Sequence, residues 1–210
     1  MTQDEALSIL KTGANALLTG EPGSGKTHTV NTYVRWLRAH GIEPAITAST
    51  GIAATHLNGM TIHAWSGIGI RKFLTDEDAD AIASKEHVAR RIGKAGVLII
   101  DEVSMLSGEV LAMVDRVLRE VRGHERAFGG MQVVLVGDFF QLPPVSGRGE
   151  DATFAFESDA FRILNPLPLY LSEQHRHDDA SLERILANIR GGTADASDVS
   201  RLMQREADEA

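Results

Sequence analysis

Five short apolar runs punctuate the chain: NALLTG (15–20), EPAITAS (43–49), GVLII (96–100), MQVVLVG (131–137) and LPLYLS (167–172). Stretches such as VLII and VVLV are apolar at every position, so neither face of such a strand can be wet. That is the habit of a parallel sheet covered on both sides. Between the runs the spacing changes to a helical period. Val30, Tyr33, Val34 and Leu37 share one helical face, and Val110, Leu111, Val114, Val117, Leu118 and Val121 share another. Strand and helix alternate, which predicts an α/β fold: an open, doubly wound parallel sheet with helices on both faces. Residues 71–94, rich in both signs of charge, read as a helical surface excursion, while 123–130 and 146–151 read as loops.

Composition narrows the classes. The 210 residues suffice for one α/β domain, or one domain and the start of another. Cysteine is absent, which excludes a disulfide framework and a thiolate metal site. No apolar run approaches 18 residues and the opening MTQDEALSIL is polar and amphipathic, so neither a membrane span nor a cleavable leader is expected. A cytoplasmic protein of prokaryotic or viral origin is the expectation. The net charge of −8 argues against a surface that attracts nucleic acid everywhere, and leaves a local groove open.

GEPGSGKT, Gly20 to Thr27, follows a predicted strand and opens a predicted helix. In that context the pattern reads as a phosphate cradle for ATP and magnesium. Its glycines let backbone N–H groups wrap the phosphates, Lys26 reaches the β and γ phosphates, and the Thr27 hydroxyl faces Mg2+. The nucleotide-contacting set is Gly20, Glu21, Pro22, Gly23, Ser24, Gly25, Lys26, Thr27 and His28. A second apolar strand ends in Asp101-Glu102. Asp101 is expected to hold the metal and Glu102 to polarise an attacking water. The strand 131–137 delivers Asp138 and Gln141 to the same carboxyl edge, where ligands of such sheets bind. Gln141 is therefore read as touching the γ-phosphate or the water, stiffened by the two prolines that follow. A plain Asx-type turn with a loop glutamine is the alternative there.

Taken together, TGEPGSGKT, TASTGIAATHLNGMTIHAW, LIIDEVSML, VVLVGDFFQLPPV and LSEQHR resemble, in order, the motifs of the Pif-type superfamily 1B DNA helicases, relatives of RecD. The resemblance spans nearly the whole chain. It implies a P-loop NTPase of RecA-like fold, with residues 1–165 as the first motor domain and 166–210 as an arginine-finger segment and the start of a second. It implies that Gln3 reads adenine, that Thr50, Gly51, Thr61 and His63 contact single-stranded DNA, and that Arg176 is the finger reaching the γ-phosphate. Trp65 either stacks a base or belongs to the core. His175 and His177 beside Arg176 are set aside as metal ligands for want of companions.

By the same resemblance 71–94 occupies the place of a small wedge element. Soon after LERILANIRGG the sequence ends, where the second motor domain is expected to begin and to be supplied by the parent chain or a partner. The expected function is that of a 5′ to 3′ ATP-dependent DNA helicase whose first domain binds and slowly hydrolyses ATP alone. A non-motor ATP switch acting through a protein partner is the alternative.

Overall fold

The computed structural model describes residues 1–56, 58–145, 153–172 and 180–208. Helix α1 (Gln3–Leu10) leads to β1 (Ala16–Gly20), α2 (Lys26–Ala39) and β2 (Pro44–Ala48). A tight passage follows, made of α3 (Gly51–His56), β3 (Met60–Thr61) and α4 (Ile62–Ser66), and then α5 (Asp76–Ala83) and α6 (Glu86–Lys94). The remaining strands and α-helices of the first compact unit, Met1–Glu173, are β4 (Val97–Asp101), α7 (Gly108–Arg122), β5 (Gln132–Val136), α8 (Asp159–Leu164) and β6 (Leu167–Leu171). A second unit, Gln174–Ala210, carries α9 (Ala180–Arg190) and α10 (Ala196–Asp208), joined where Asn188 Nδ2 donates to Asp198 Oδ2 at 2.9 Å.

The six strands form one sheet in the order β3-β2-β4-β5-β1-β6, every pair parallel. All five expected strands are present; β3, two residues long, is an addition. β6 pairs along its whole length with β1. The compact unit therefore runs past residue 165, where the sequence alone suggested a division.

The apolar runs are explained by two cores. From β4 and β5, Leu98, Ile100, Val133 and Leu135 join Leu111, Val114 and Leu118 of α7 on one face. Their neighbours Ile99, Val134 and Val136 join Val30, Tyr33 and Leu37 of α2 on the other. Successive residues of a strand point to opposite sides, so a strand serving two cores has no polar position to offer.

The stretch 71–94 corrects the reading of it as a surface excursion. It forms α5 and α6, whose Ile82, Val88 and Ile92 are buried in the same core as α7, with Ala79 also buried. The charges occupy the outer faces. Thr75 opens α5 with a reciprocal cap: its hydroxyl accepts from Asp78 N–H, and the Asp78 carboxylate accepts from Thr75 N–H.

Candidate functional site

Because every strand is parallel, the carboxyl ends share one rim, and the register aligns it. Ala48 of β2 lies beside Thr61 on one side and Asp101 on the other; Leu18 of β1 pairs with Val136 of β5. The segments after these positions, Ser49–Gly51, Glu102, Gly137–Gln141 and Gly20–Thr27, consequently leave the sheet along a single edge.

The cradle is shaped by glycine where no other residue fits. Gly25, the residue before α2, has φ +88, and a Cβ there would fall 2.1 Å from Gln3 Nε2. The amide of Gln3 thus lies directly on the loop. α1 is held for this purpose at both ends: Thr2 and Glu5 form a capping box, and Gln132 Nε2 donates to Leu10 O and Ala14 O at 3.0 and 2.8 Å. Lys26 Nζ donates to Gly20 O (2.8 Å) and Glu21 O (3.1 Å), folding over the loop's own carbonyls. Ser24 Oγ is buried with no hydrogen-bond partner among the described residues. Thr27 and His28 stand exposed on the first turn of α2, Pro22 is exposed, and Glu21 and Gly23 are half-buried. A lysine lying over carbonyls, an unpartnered hydroxyl and the open N–H groups of a 14-residue helix are a donor set suited to phosphate.

Asp101 closes β4 facing this loop. Burial raises its carboxyl from 3.8 to about 6; the Glu102 backbone N–H lowers it, the Glu102 charge raises it, and the positive charge of Lys26 lowers it. Such a group gains from nearby positive charge, and a hard oxygen donor beside a phosphate cradle fits magnesium. Glu102 itself sits at φ 53, ψ 44, in the left-handed region. A non-glycine residue there costs on the order of 1–3 kcal/mol and needs support from its surroundings. The support comes from Ser49, whose hydroxyl donates to Glu102 O at 2.8 Å while its N–H donates to Asp101 O at 3.1 Å.

The Asx-type turn considered from sequence is present: Asp138, 1% exposed, accepts through Oδ1 from Phe140 N–H at 3.1 Å, and its carbonyl accepts from Gln141 N–H at 2.9 Å. The turn sets Gln141 at the rim, so it and a role for the glutamine are compatible. Gln141 lines a cavity of about 430 Å³ together with Glu102, Thr50, Ile52, Ser104 and Leu142.

Thr50 and Thr61 have structural work already. Thr50 Oγ1 accepts from Ala53 N–H at the head of α3, and Thr61 Oγ1 accepts from Ala64 N–H at the head of α4. Each hydroxyl keeps its own proton to donate. His63 is half-buried, and burial lowers its pKa below the ordinary histidine value, favouring the neutral ring. Trp65 is 4% exposed and belongs to the α7-side core, which removes it as a platform for a base. His175, Arg176 and His177 lie outside the described residues, as does the loop at 146–151.

Two residues at the rim carry no role in the reading from sequence. Ser104 is fully buried with its hydroxyl unpartnered among the described residues. Ser49 bridges two strands. The only signal for Ser49 is a small polar residue at the carboxyl end of a strand, which many turns share.

The sequence model of the PIF1-like helicases matches residues 4–191. The "ATP-dependent DNA helicase Pif1" of Psychrobacter sp. is 52% identical over 200 residues, which cover 91% of this chain and 30% of that protein. The "ATP-dependent DNA helicase RRM3" of Saccharomyces cerevisiae is 38% identical over 215 residues, covering 99% of this chain and 30% of that protein. Among solved structures, the Pif1 helicase of Candida albicans superposes with a TM-score of 0.84 at 31% identity, covering 95% of this chain and 45% of that one. The Bacteroides Pif1 helicase in complex with ADP-AlF3 and single-stranded DNA gives 0.82 at 29% identity, covering 94% and 47%. The chain thus spans about 30% of the length of these curated relatives and under half of the solved ones. With a parallel RecA-like sheet, a phosphate cradle and a family match along most of its length, the chain belongs to the PIF1-like helicases.

Proposed function

We propose that this chain is the first motor domain of an ATP-dependent 5′ to 3′ DNA helicase, binding ATP and magnesium on one side of the rim and single-stranded DNA on the other. The observation that carries the reading is that Glu102, Gln141 and Thr50 line one cavity. A group that handles water, a group that senses phosphate and a group that meets the strand are thereby neighbours.

In this reading the Gly20–Thr27 loop and Lys26 hold the phosphates, Gln3 meets the adenine edge, and Thr27 and Asp101 hold the metal. Bound magnesium supplies charge neutralisation on the phosphate oxygens. Glu102 takes the proton of the attacking water, and Gln141 orients that water against the γ-phosphate. The Thr50, Thr61 and Gly51 donors, with His63, meet DNA phosphates, contacts that position a strand without reading its sequence. The resemblance gives Arg176 the role of the finger.

Unwinding requires a second domain that closes on the first and reopens after hydrolysis. We therefore propose slow hydrolysis and little unwinding for this chain by itself, with the second domain supplied by the parent chain or a partner.

ATP turnover with and without an oligothymidylate tests the proposal. Stimulation by the strand, abolished in Glu102→Gln, is the expected result. ATP binding with no effect of DNA on turnover overturns the motor reading in favour of a nucleotide switch acting through a protein partner.

A further inference from the structure

Ser49 ties the segment that leads into α3 to the backbone of Glu102. It is the residue between the end of β2 and Thr50; its N–H donates to Asp101 O at the end of β4, and its hydroxyl to Glu102 O just beyond, 53 positions away in sequence. Its hydroxyl donates to Glu102 O (2.8 Å), and the same carbonyl accepts from Met105 N–H (3.1 Å), closing the turn at Val103–Met105. The Glu102 carbonyl is therefore gripped from two sides at a residue whose φ of 53 is not one it adopts unaided. On its other side Ser49 is bonded to Thr50, which caps α3 through its hydroxyl to Ala53 N–H and its carbonyl to Ala54 N–H at 3.0 Å.

Any displacement of the start of α3 is consequently delivered to Ser49 through one covalent link, and from there to the Glu102 carbonyl through one hydrogen bond. The path is short and made of directional contacts. Other carriers across the rim are less direct: Thr50 and Glu102 line a common cavity with Gln141, but no hydrogen bond joins the side chains of Thr50 and Glu102 among the described residues.

We propose that Ser49 is a positioning residue that holds the Glu102 carboxylate in its working orientation and couples it to strand binding at Thr50–Gly51. The proposal rests on the function proposed above. Deleting the hydroxyl leaves both binding surfaces and the Ser49 N–H bond to Asp101 O in place and removes the one bond that reaches Glu102.

The test is a linkage measurement on this chain, using a non-hydrolysable ATP analogue with magnesium and an oligothymidylate. In the wild type, saturating oligothymidylate is expected to change the affinity for the analogue by about fivefold or more, a usual size for coupled sites, and the reverse titration must give the same factor. In Ser49→Ala the factor is expected to fall below about twofold, with the affinity for each ligand alone kept within about twofold; Ser49→Thr restores it.

A purely structural serine would instead weaken both affinities together and leave their ratio alone. An unchanged factor in a folded Ser49→Ala overturns the proposal, as does a wild type that binds both ligands independently. If Ser49→Ala fails to fold, Ser49→Cys replaces it, since a thiol of nearly the same size donates only weakly, and the same loss of coupling is expected. A wild type that binds neither ligand sinks the proposed function itself, and is seen before any variant is made.

Discussion

The side-chain amide of Gln3 lies against the backbone of Gly25, so closely that a methyl group at Gly25 would sit 2.1 Å from Gln3 Nε2. A residue at the start of the chain thereby shares a wall with the phosphate cradle. If Gln3 pairs with the adenine edge, Gln3→Ala should spare the phosphate contacts and cost base selectivity. A bidentate amide contact is worth about 1–3 kcal/mol of discrimination. The preference for ATP over GTP, measured as a ratio of kcat/KM, is expected to drop about tenfold, with thermal stability unchanged. An intact preference would leave Gln3 a structural neighbour of the loop.

Gly25→Ala tests the same junction from the other side. The new methyl group must displace the amide and also occupy φ +88, where alanine is strained. Both effects act at the head of α2. Nucleotide affinity is expected to fall by about tenfold or more and the melting temperature by several degrees, a cost of roughly 1–2 kcal/mol for the backbone alone. A variant that binds ATP as well as the wild type would show that the loop rearranges freely.

Lys26 Nζ donates to the carbonyls of Gly20 and Glu21, and its positive charge lowers the Asp101 carboxyl. Lys26→Ala should therefore reduce ATP turnover by about a hundredfold or more, the scale for losing a donor aimed at developing charge. The loss in turnover is expected to exceed by far any change in unfolding free energy, because the donor is aimed at charge that develops only on the bound phosphates. Parallel turnover assays and thermal melts separate the two.

Asp101 sets function against stability. Its carboxyl is raised from 3.8 to about 6, mainly by burial. The folded state therefore holds this proton more tightly than the unfolded chain does. Its stabilising effect is complete below 3.8 and is lost as pH rises through 6. A shift of this size corresponds to about 3 kcal/mol at neutral pH. In chelator-treated protein, Asp101→Asn is expected to raise stability at pH 7 by up to that amount and to change little below pH 4, while magnesium-dependent hydrolysis is lost. Equal stability of the two proteins at pH 7 would refute the assignment.

Trp65 separates core from binding surface. At 4% exposure it should behave as a packing residue, so Trp65→Ala is expected to cost about 3–5 kcal/mol of stability. Trp65→Phe keeps most of the volume and should keep oligothymidylate affinity within about twofold. A large loss of affinity in the Phe variant, with stability preserved, would return the ring to the strand-binding surface.

The strands and the cradle were legible in the amino-acid sequence because their signals are local. A strand between two cores must be apolar at every position, as Val133 to Val136 are, and a loop that wraps phosphate must have glycine where Gly25 turns left-handed. Two-residue β3 is too short to show a period. Residues 71–94 concealed Ile82, Val88 and Ile92 because a helix needs only a narrow apolar stripe, and charges dominate the rest of its surface.

What only the tertiary structure decided is which polar groups meet. Trp65 suits a core and a base platform equally until its neighbours are known. The left-handed Glu102 and its bond from Ser49 join residues 53 positions apart, and nothing in the short-range spacing of either segment encodes that distance. Local propensity acts over a few bonds, whereas a functional rim is assembled by the parallel register of the sheet, which places the ends of β1, β2, β4 and β5 side by side whatever their separation along the chain.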